Sequence, residues 1–139
     1  MIIRTPKIII IGNGFDLNLG LKTAYSDFTN SYYFASLINN NFCNYLRGKQ
    51  ELDNGNWIDI ENELSTYSKI KSDSFERDFL SLSSALIQYL LEIDYNEIDK
   101  RSIAYSLLKK NINQDFFIYD YNYTNTVYEL LSSRVKKDF

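Results

Sequence analysis

The sequence predicts an α/β fold: a parallel sheet with a large helical insertion, about residues 30–112, between its first and second strands. Three observations predict it. Ile8-Ile9-Ile10-Ile11 is a β-branched run that ends at Gly12 and is apolar on both faces, as a central parallel strand is. Phe116-Phe117-Ile118-Tyr119 is a second short run of strand-forming residues. Between the two, apolar residues recur at steps of three and four, the period of helices.

Pro6 pre-sets an extended entry to the first strand. After that strand, Gly12 and Gly14 permit a tight turn and close approach of a ligand to the backbone, and a helical pattern begins beyond Gly20. Strand, glycine-rich turn and helix N-terminus form a cradle for an anion such as phosphate, because unpaired N–H groups and the helix dipole both favour one. The spacing is not G-x-G-x-x-G, and a sharp strand-to-helix turn that binds nothing fits the same residues.

A helix capped by Thr23 or Ser26 is expected from about Tyr25 to Arg47, with Tyr25, Phe28, Tyr32, Tyr33, Leu37 and Ile38 on its apolar stripe. Asn39-Asn40-Asn41 is the point at which it would end early. Gly48 through Asn56 is polar and reads as a loop. In the next helix Trp57, Ile60, Leu64 and Tyr67 share a face, Asp59 and Glu63 fall on the wet side, and Glu61 lands beside Trp57. A carboxylate at that edge is either satisfied locally or placed for function. The third helix, about Ser74 to Ile93, carries a seam of Phe75, Phe79, Leu82, Leu86, Tyr89 and Ile93 suited to packing on other helices or to association. A fourth is expected over about Asn96–Asn111, and a last one carries Val127, Leu130, Leu131 and Val135.

The second strand is followed by Tyr121-Asn122-Tyr123-Thr124-Asn125-Thr126, small polar groups leading into a helix N-terminus. In open α/β sheets, ligands bind outside the carboxyl ends of the strands. If the two strands are parallel neighbours, Gly12–Asp16 and Asn122–Asn125 line one crevice.

Composition closes several routes. A net charge of −3 over 139 residues gives no basic stripe for nucleic acid, and the small cluster of Arg134, Lys136 and Lys137 suits a helix C-terminus. With no histidine, the chain has neither the commonest general base nor an ordinary zinc site. The single cysteine, Cys43, cannot form an internal disulfide and reads as a small buried hydrophobe. No stretch approaches the roughly 20 apolar residues of a membrane span. A soluble, cytoplasmic protein with no membrane partner is expected.

Gly12-Asn13-Gly14-Phe15-Asp16-Leu17, Gly20-Leu21, Thr23, Tyr25, Asp27-Phe28, then Trp57-x-x-x-Glu61, then Asn122-Tyr123-Thr124-Asn125-Thr126 resemble the bacteriophage abortive-infection AbiH family, whose members protect bacteria against phage. Family members often carry Pro where this chain has Lys22. That pattern is in turn distantly similar to the sirtuin-type, Rossmann-like NAD-binding fold. The resemblance implies that Gly12, Asn13, Gly14, Phe15 and Asp16 form the turn on a nucleotide's phosphates. Thr23, Tyr25 and Asp27 would belong to the segment closing over the nicotinamide end, Asn122 would lie near the nicotinamide ribose, and Gly20, Tyr123 and Thr124 would also belong to the nucleotide-binding set. Asp16 and Glu61 would orient hydroxyls or water and Asn122 would position the substrate, the three forming the catalytic set.

Family members continue past the Asn-Tyr-Thr block, usually through a further strand with a His-Gly motif that this chain lacks. A two-stranded parallel sheet also leaves apolar edges in need of covering. The expectation is therefore one AbiH-like domain over residues 1–139, incomplete at its C-terminal end, from a truncated or split gene. Its implied role is in phage defence, binding NAD or another nucleotide, as a homo-oligomer or with a completing partner chain. An NAD- or nucleotide-hydrolysing effector enzyme and a decayed fragment are the alternatives.

Overall fold

The structure is a computed structural model that describes residues 7–52, 59–70, 73–111 and 116–135. In chain order they form strand β1 (Lys7–Ile11), helices α1 (Asn13–Asn18), α2 (Tyr25–Thr29), α3 (Tyr32–Ala35), α4 (Asn41–Leu52), α5 (Ile60–Ser68) and α6 (Phe75–Leu91), a 3₁₀ turn at Tyr95–Glu97, α7 (Ile103–Asn111), β2 (Phe116–Asp120) and α8 (Thr126–Val135). The chain divides into two compact units, 1–23 with 93–139, and 24–92.

In the first unit β1 and β2 pair in parallel, with Ile8 beside Phe117, Ile9 beside Ile118 and Ile10 beside Tyr119. The ladder runs one step further, Tyr121 N–H donating to the Ile11 carbonyl at 2.9 Å. The expected burial of the isoleucine run on both faces is corrected. Ile11 is buried and Ile9 half-buried, while Ile8 and Ile10 are exposed. Side chains alternate along a strand, so one face of the sheet turns inward and its apolar counterpart lies open.

The helix expected beyond Gly20 begins with α2 at Tyr25, and a further helix that was not expected, α1, starts at once after β1. Gly12 serves as its N-cap in extended backbone that any residue adopts (φ −136°, ψ −175°). Gly20 is where glycine is needed. It takes φ +83° and closes α1 with Gly20 N–H on the Leu17 carbonyl (3.0 Å) and Leu21 N–H on the Asp16 carbonyl (3.1 Å). This paired closure satisfies two carbonyls at the helix end and requires a left-handed residue. The cap turns Leu19 and Leu21 into a cluster with Ile98 and Ala104, against which Phe15, Ile93, Tyr95, Tyr105 and Leu130 pack. Two polar ties fix the same junction: Asn18 Oδ1 accepts from Ala104 N–H at the start of α7 (2.9 Å), and the Leu19 carbonyl accepts from Asp99 N–H (2.8 Å). The helix expected over Asn96–Asn111 is accordingly shorter, α7 following the 3₁₀ turn after a break at Ile98–Ser102.

The second unit is helical. Phe28, Phe34, Phe42, Cys43, Leu46, Ile60, Tyr67, Leu82 and Ala85 form its core. The single helix expected from Tyr25 to Arg47 is three helices. Ser31 breaks the first by capping α3: its hydroxyl donates to the Phe28 carbonyl (2.6 Å) and accepts from Phe34 N–H (3.3 Å), a local bond that competes with continuing the helix. Asn40 starts α4, its Oδ1 accepting from Cys43 N–H (2.8 Å) and its Nδ2 donating to the Asp78 carbonyl (2.7 Å). Asp78, 1% exposed on α6, accepts from Asn41 N–H (3.2 Å) and the Ser74 hydroxyl (2.8 Å), joining the starts of α4 and α6. The expected α6 seam holds in part. Leu82 is buried and Phe75, Leu86 and Tyr89 pack on the core, but Phe79 is exposed and Asp78 and Ala85 are buried instead.

Glu63 is not on a wet face: it accepts from the Tyr45 hydroxyl at 2.6 Å. The stretch from Gly48 to Asn56, expected as a loop, is helical through Leu52 as the end of α4. Its remainder, residues 53–56, together with Pro6, Trp57, Lys136 and Lys137, lies outside the described residues.

Candidate functional site

The carboxyl ends of β1 and β2 lead into α1 and α8, and the polar side chains there meet on one carboxylate. Asp16, on α1, has no exposed surface. Its Oδ2 accepts from the Thr124 hydroxyl (2.5 Å) and its Oδ1 from Asn122 Nδ2 (3.2 Å). The Thr124 and Thr126 hydroxyls are 2.9 Å apart. Asn122 is held by its own backbone N–H on Asp120 Oδ1 (3.0 Å), a side-chain turn that reverses the chain just after the strand. Tyr95, from the 3₁₀ turn, places its hydroxyl against the start of α8, accepting from Asn125 N–H at 3.0 Å.

Burial pushes the Asp16 carboxyl above its ordinary range; the Thr124 and Thr126 hydroxyls oppose that rise and the charge of Asp120 adds to it. The Tyr95 phenol is raised too, first by burial and then by the charges of Asp16 and Glu129, against the Asn125 N–H and the Thr126 hydroxyl. The amide oxygen of Asn122 is enclosed and has no hydrogen-bond partner. Buried acceptors are nearly always paired, so an unpaired one marks strain, a functional role or a missing partner.

Of the remaining residues singled out in the sequence, Asn13, Phe15 and Gly20 have identifiable local tasks. Asn13 ties the loop behind α1, its Oδ1 accepting from the Thr23 hydroxyl (2.7 Å) and its Nδ2 donating to the Thr23 carbonyl (3.2 Å). Gly12 and Gly14 are exposed, and a Cβ added at either would meet nothing within 4 Å. The protein's own packing therefore does not demand glycine there. Phe15 packs on the Leu19 cluster, and Gly20 is accounted for by the helix cap. Tyr123 is 82% exposed.

Tyr25, Asp27 and Glu61 belong to the helical unit. There the Tyr25 hydroxyl donates to Glu61 Oε1 at 2.5 Å. Asp27 Oδ2 accepts from Ala24 N–H (3.0 Å), which fastens the first turn of α2. Ala24 has no side-chain acceptor to return the bond, so only the acidic half of a capping box is present.

The structure thus brings Asp16, Asn122 and Thr124 together and pairs Tyr25 with Glu61. It adds Thr126, Tyr95 and Asp120, which sequence reasoning missed. Thr126 had a signal, two hydroxyls spaced i, i+2 at a helix start; Tyr95 had none, since its role depends on a contact 30 residues along the chain. Among the described residues no group of three acidic, cysteine or histidine side chains is placed to hold a metal ion.

These features define an α/β protein with a buried carboxylate–amide–hydroxyl cluster at the ends of parallel strands. A family model described as bacteriophage abortive infection AbiH matches residues 8–83, more than half of the chain. The chain belongs to the AbiH family. The match includes Gly12–Asp16 and most of the helical unit and ends before Asn122. No curated protein and no solved structure matches.

Proposed function

We propose that this protein acts in defence against bacteriophage and that the cluster at the strand ends binds a nucleotide-type small molecule, NAD being the first candidate. Family membership supports the defence role. One observation carries the ligand: Asn122 is fastened through its amide nitrogen to Asp16 while its amide oxygen is enclosed and unpaired. Leaving such an acceptor unmade costs about 1–3 kcal/mol, and a hydroxyl or amide N–H of a ligand would repay it. The open space over Gly12 and Gly14 supports the same reading, since a ligand can approach the backbone there.

Binding is favoured over hydrolysis by this chain. Both carboxylate oxygens of Asp16 are occupied by internal donors, and the sequence has no histidine to serve as a base. Glu61, proposed as a further catalytic carboxylate, is bonded to Tyr25.

The test is thermal unfolding of the protein alone and with NAD, ADP-ribose, ATP or GTP. A ligand at a hundredfold excess over its Kd stabilises the native state by about 2.7 kcal/mol. A shift with one nucleotide that disappears in Asn122→Ala supports the site; indifference to all four overturns it. Nicotinamide release from NAD by the protein, lost in Asn122→Ala, would instead establish the enzyme reading.

A further inference from the structure

We infer that the outer face of the sheet is a self-association surface, covered by a second copy of this chain. The parallel register sets Ile8 beside Phe117 and Ile10 beside Tyr119 on one face. These four are 64%, 61%, 73% and 54% exposed. Tyr121, two residues beyond Tyr119 and still bonded to Ile11, extends the aromatic row at 73% exposure. On the opposite face Ile9 and Ile118 are half-buried and Ile11 is buried. The sheet is therefore apolar on both sides and covered on one. Parallel sheets are found almost only with both faces covered, because their connections and neighbours supply the layers.

The five open side chains present roughly 600 Å² of continuous apolar surface, at the upper end of what a monomer usually leaves open. Two such faces pressed together remove about 1,200 Å² from water, the lower bound of a stable, specific interface. The five side chains carry no charge, while the whole chain carries −3, so a like-charged copy can close on this patch without stranding any of them as an ion. A two-fold axis running along the strands lays the isoleucine row of each copy on the aromatic row of the other, branched side chains against flat rings.

Sedimentation of the 139-residue protein between about 1 and 100 μM tests this, over the affinities that interfaces of this size reach. A monomer–dimer equilibrium is expected, with dissociation favoured roughly tenfold or more by Ile10→Lys and by Tyr119→Lys, both at exposed positions that leave the interior untouched. Circular dichroism of each variant checks that it folds, and Ile8→Lys replaces either that does not. A protein monomeric throughout, a dimer indifferent to these substitutions, or assembly that grows without closing at two would each overturn the inference. None of these outcomes depends on nucleotide binding.

Discussion

Asp16 is a carboxylate with no exposed surface, and its titration works against the fold as pH rises. A carboxyl whose pKa is higher in the native state than in the unfolded chain binds its proton more tightly when folded, so its contribution to stability is present at low pH and fades as pH climbs through the raised value. Asp16→Asn is therefore expected to unfold at or above the wild-type temperature near neutral pH. The wild type should close that gap as pH falls through the raised value toward the unfolded carboxyl value of about 3.9, while the variant gains nothing from this position. Asparagine can keep both bonds, accepting from Asn122 and donating to a turned Thr124 hydroxyl. A melting series against pH on both proteins checks this, and a wild type that gains nothing relative to the variant would contradict it. Thr124→Val should cost about 1–3 kcal/mol in denaturant unfolding, because one oxygen of a buried carboxylate loses its donor.

The two glycines of the turn and the glycine of the cap should part ways. Gly20→Ala forces a Cβ into a left-handed residue and should cost about 1–2 kcal/mol. Gly14→Ala, on a helix and facing open space, should leave the fold as stable or up to about 1 kcal/mol more so, yet weaken nucleotide binding if the ligand approaches there. At this scale the sequence pointed to Asp16, Asn122 and Thr124 because small polar residues stood at strand ends. It assigned Gly20 to a ligand because a helix cap cannot be told from a ligand turn until the φ angle is known.

At the scale of elements, the long-range tie that matters is the start of α4 against the start of α6. Asp78 accepts from Asn41 N–H at the start of α4 and from the Ser74 hydroxyl at the start of its own helix, and Asn40 reaches back to the Asp78 carbonyl. Asp78→Ala should cost about 1–3 kcal/mol, read as a lower denaturant midpoint with an unchanged slope. Both strands and the start of α6 were legible in the sequence, since β-branched runs and a long periodic segment are strong local signals. The two breaks between Tyr25 and Arg47 were not, although Asn39–Asn41 hinted at the second. Helical spacing survives across a capped junction, and a serine cap such as Ser31 looks in one dimension like any polar face residue. Asp78 was invisible for the opposite reason: a carboxylate on a helix reads as solvated until its partners arrive from elsewhere.

For the whole molecule, expression in a sensitive bacterium should lower the plating efficiency of a susceptible phage, and Asn122→Ala should restore it while leaving the level of protein unchanged. Loss of protection together with loss of protein would mean that the substitution acts on folding. The parallel pairing of β1 with β2 was readable from two apolar runs separated by a helical stretch. That β1 would be covered on one face only was not readable, because an all-isoleucine run states what a strand can bury and says nothing of what is available to bury it.

Cys43 lies fully enclosed in the core of the helical unit, its thiol pushed up to about 12 by burial, with Arg47 opposing and Asp78 adding to the rise. It is the sole cysteine of the chain. In the native state at neutral pH an alkylating reagent finds neither access nor thiolate, so each labelling event records an opening of that unit. Counted against amide exchange in β1 and β2, this one sulfur becomes a clock: equal rates would mean that the two units breathe together, and faster labelling that the helical one opens by itself.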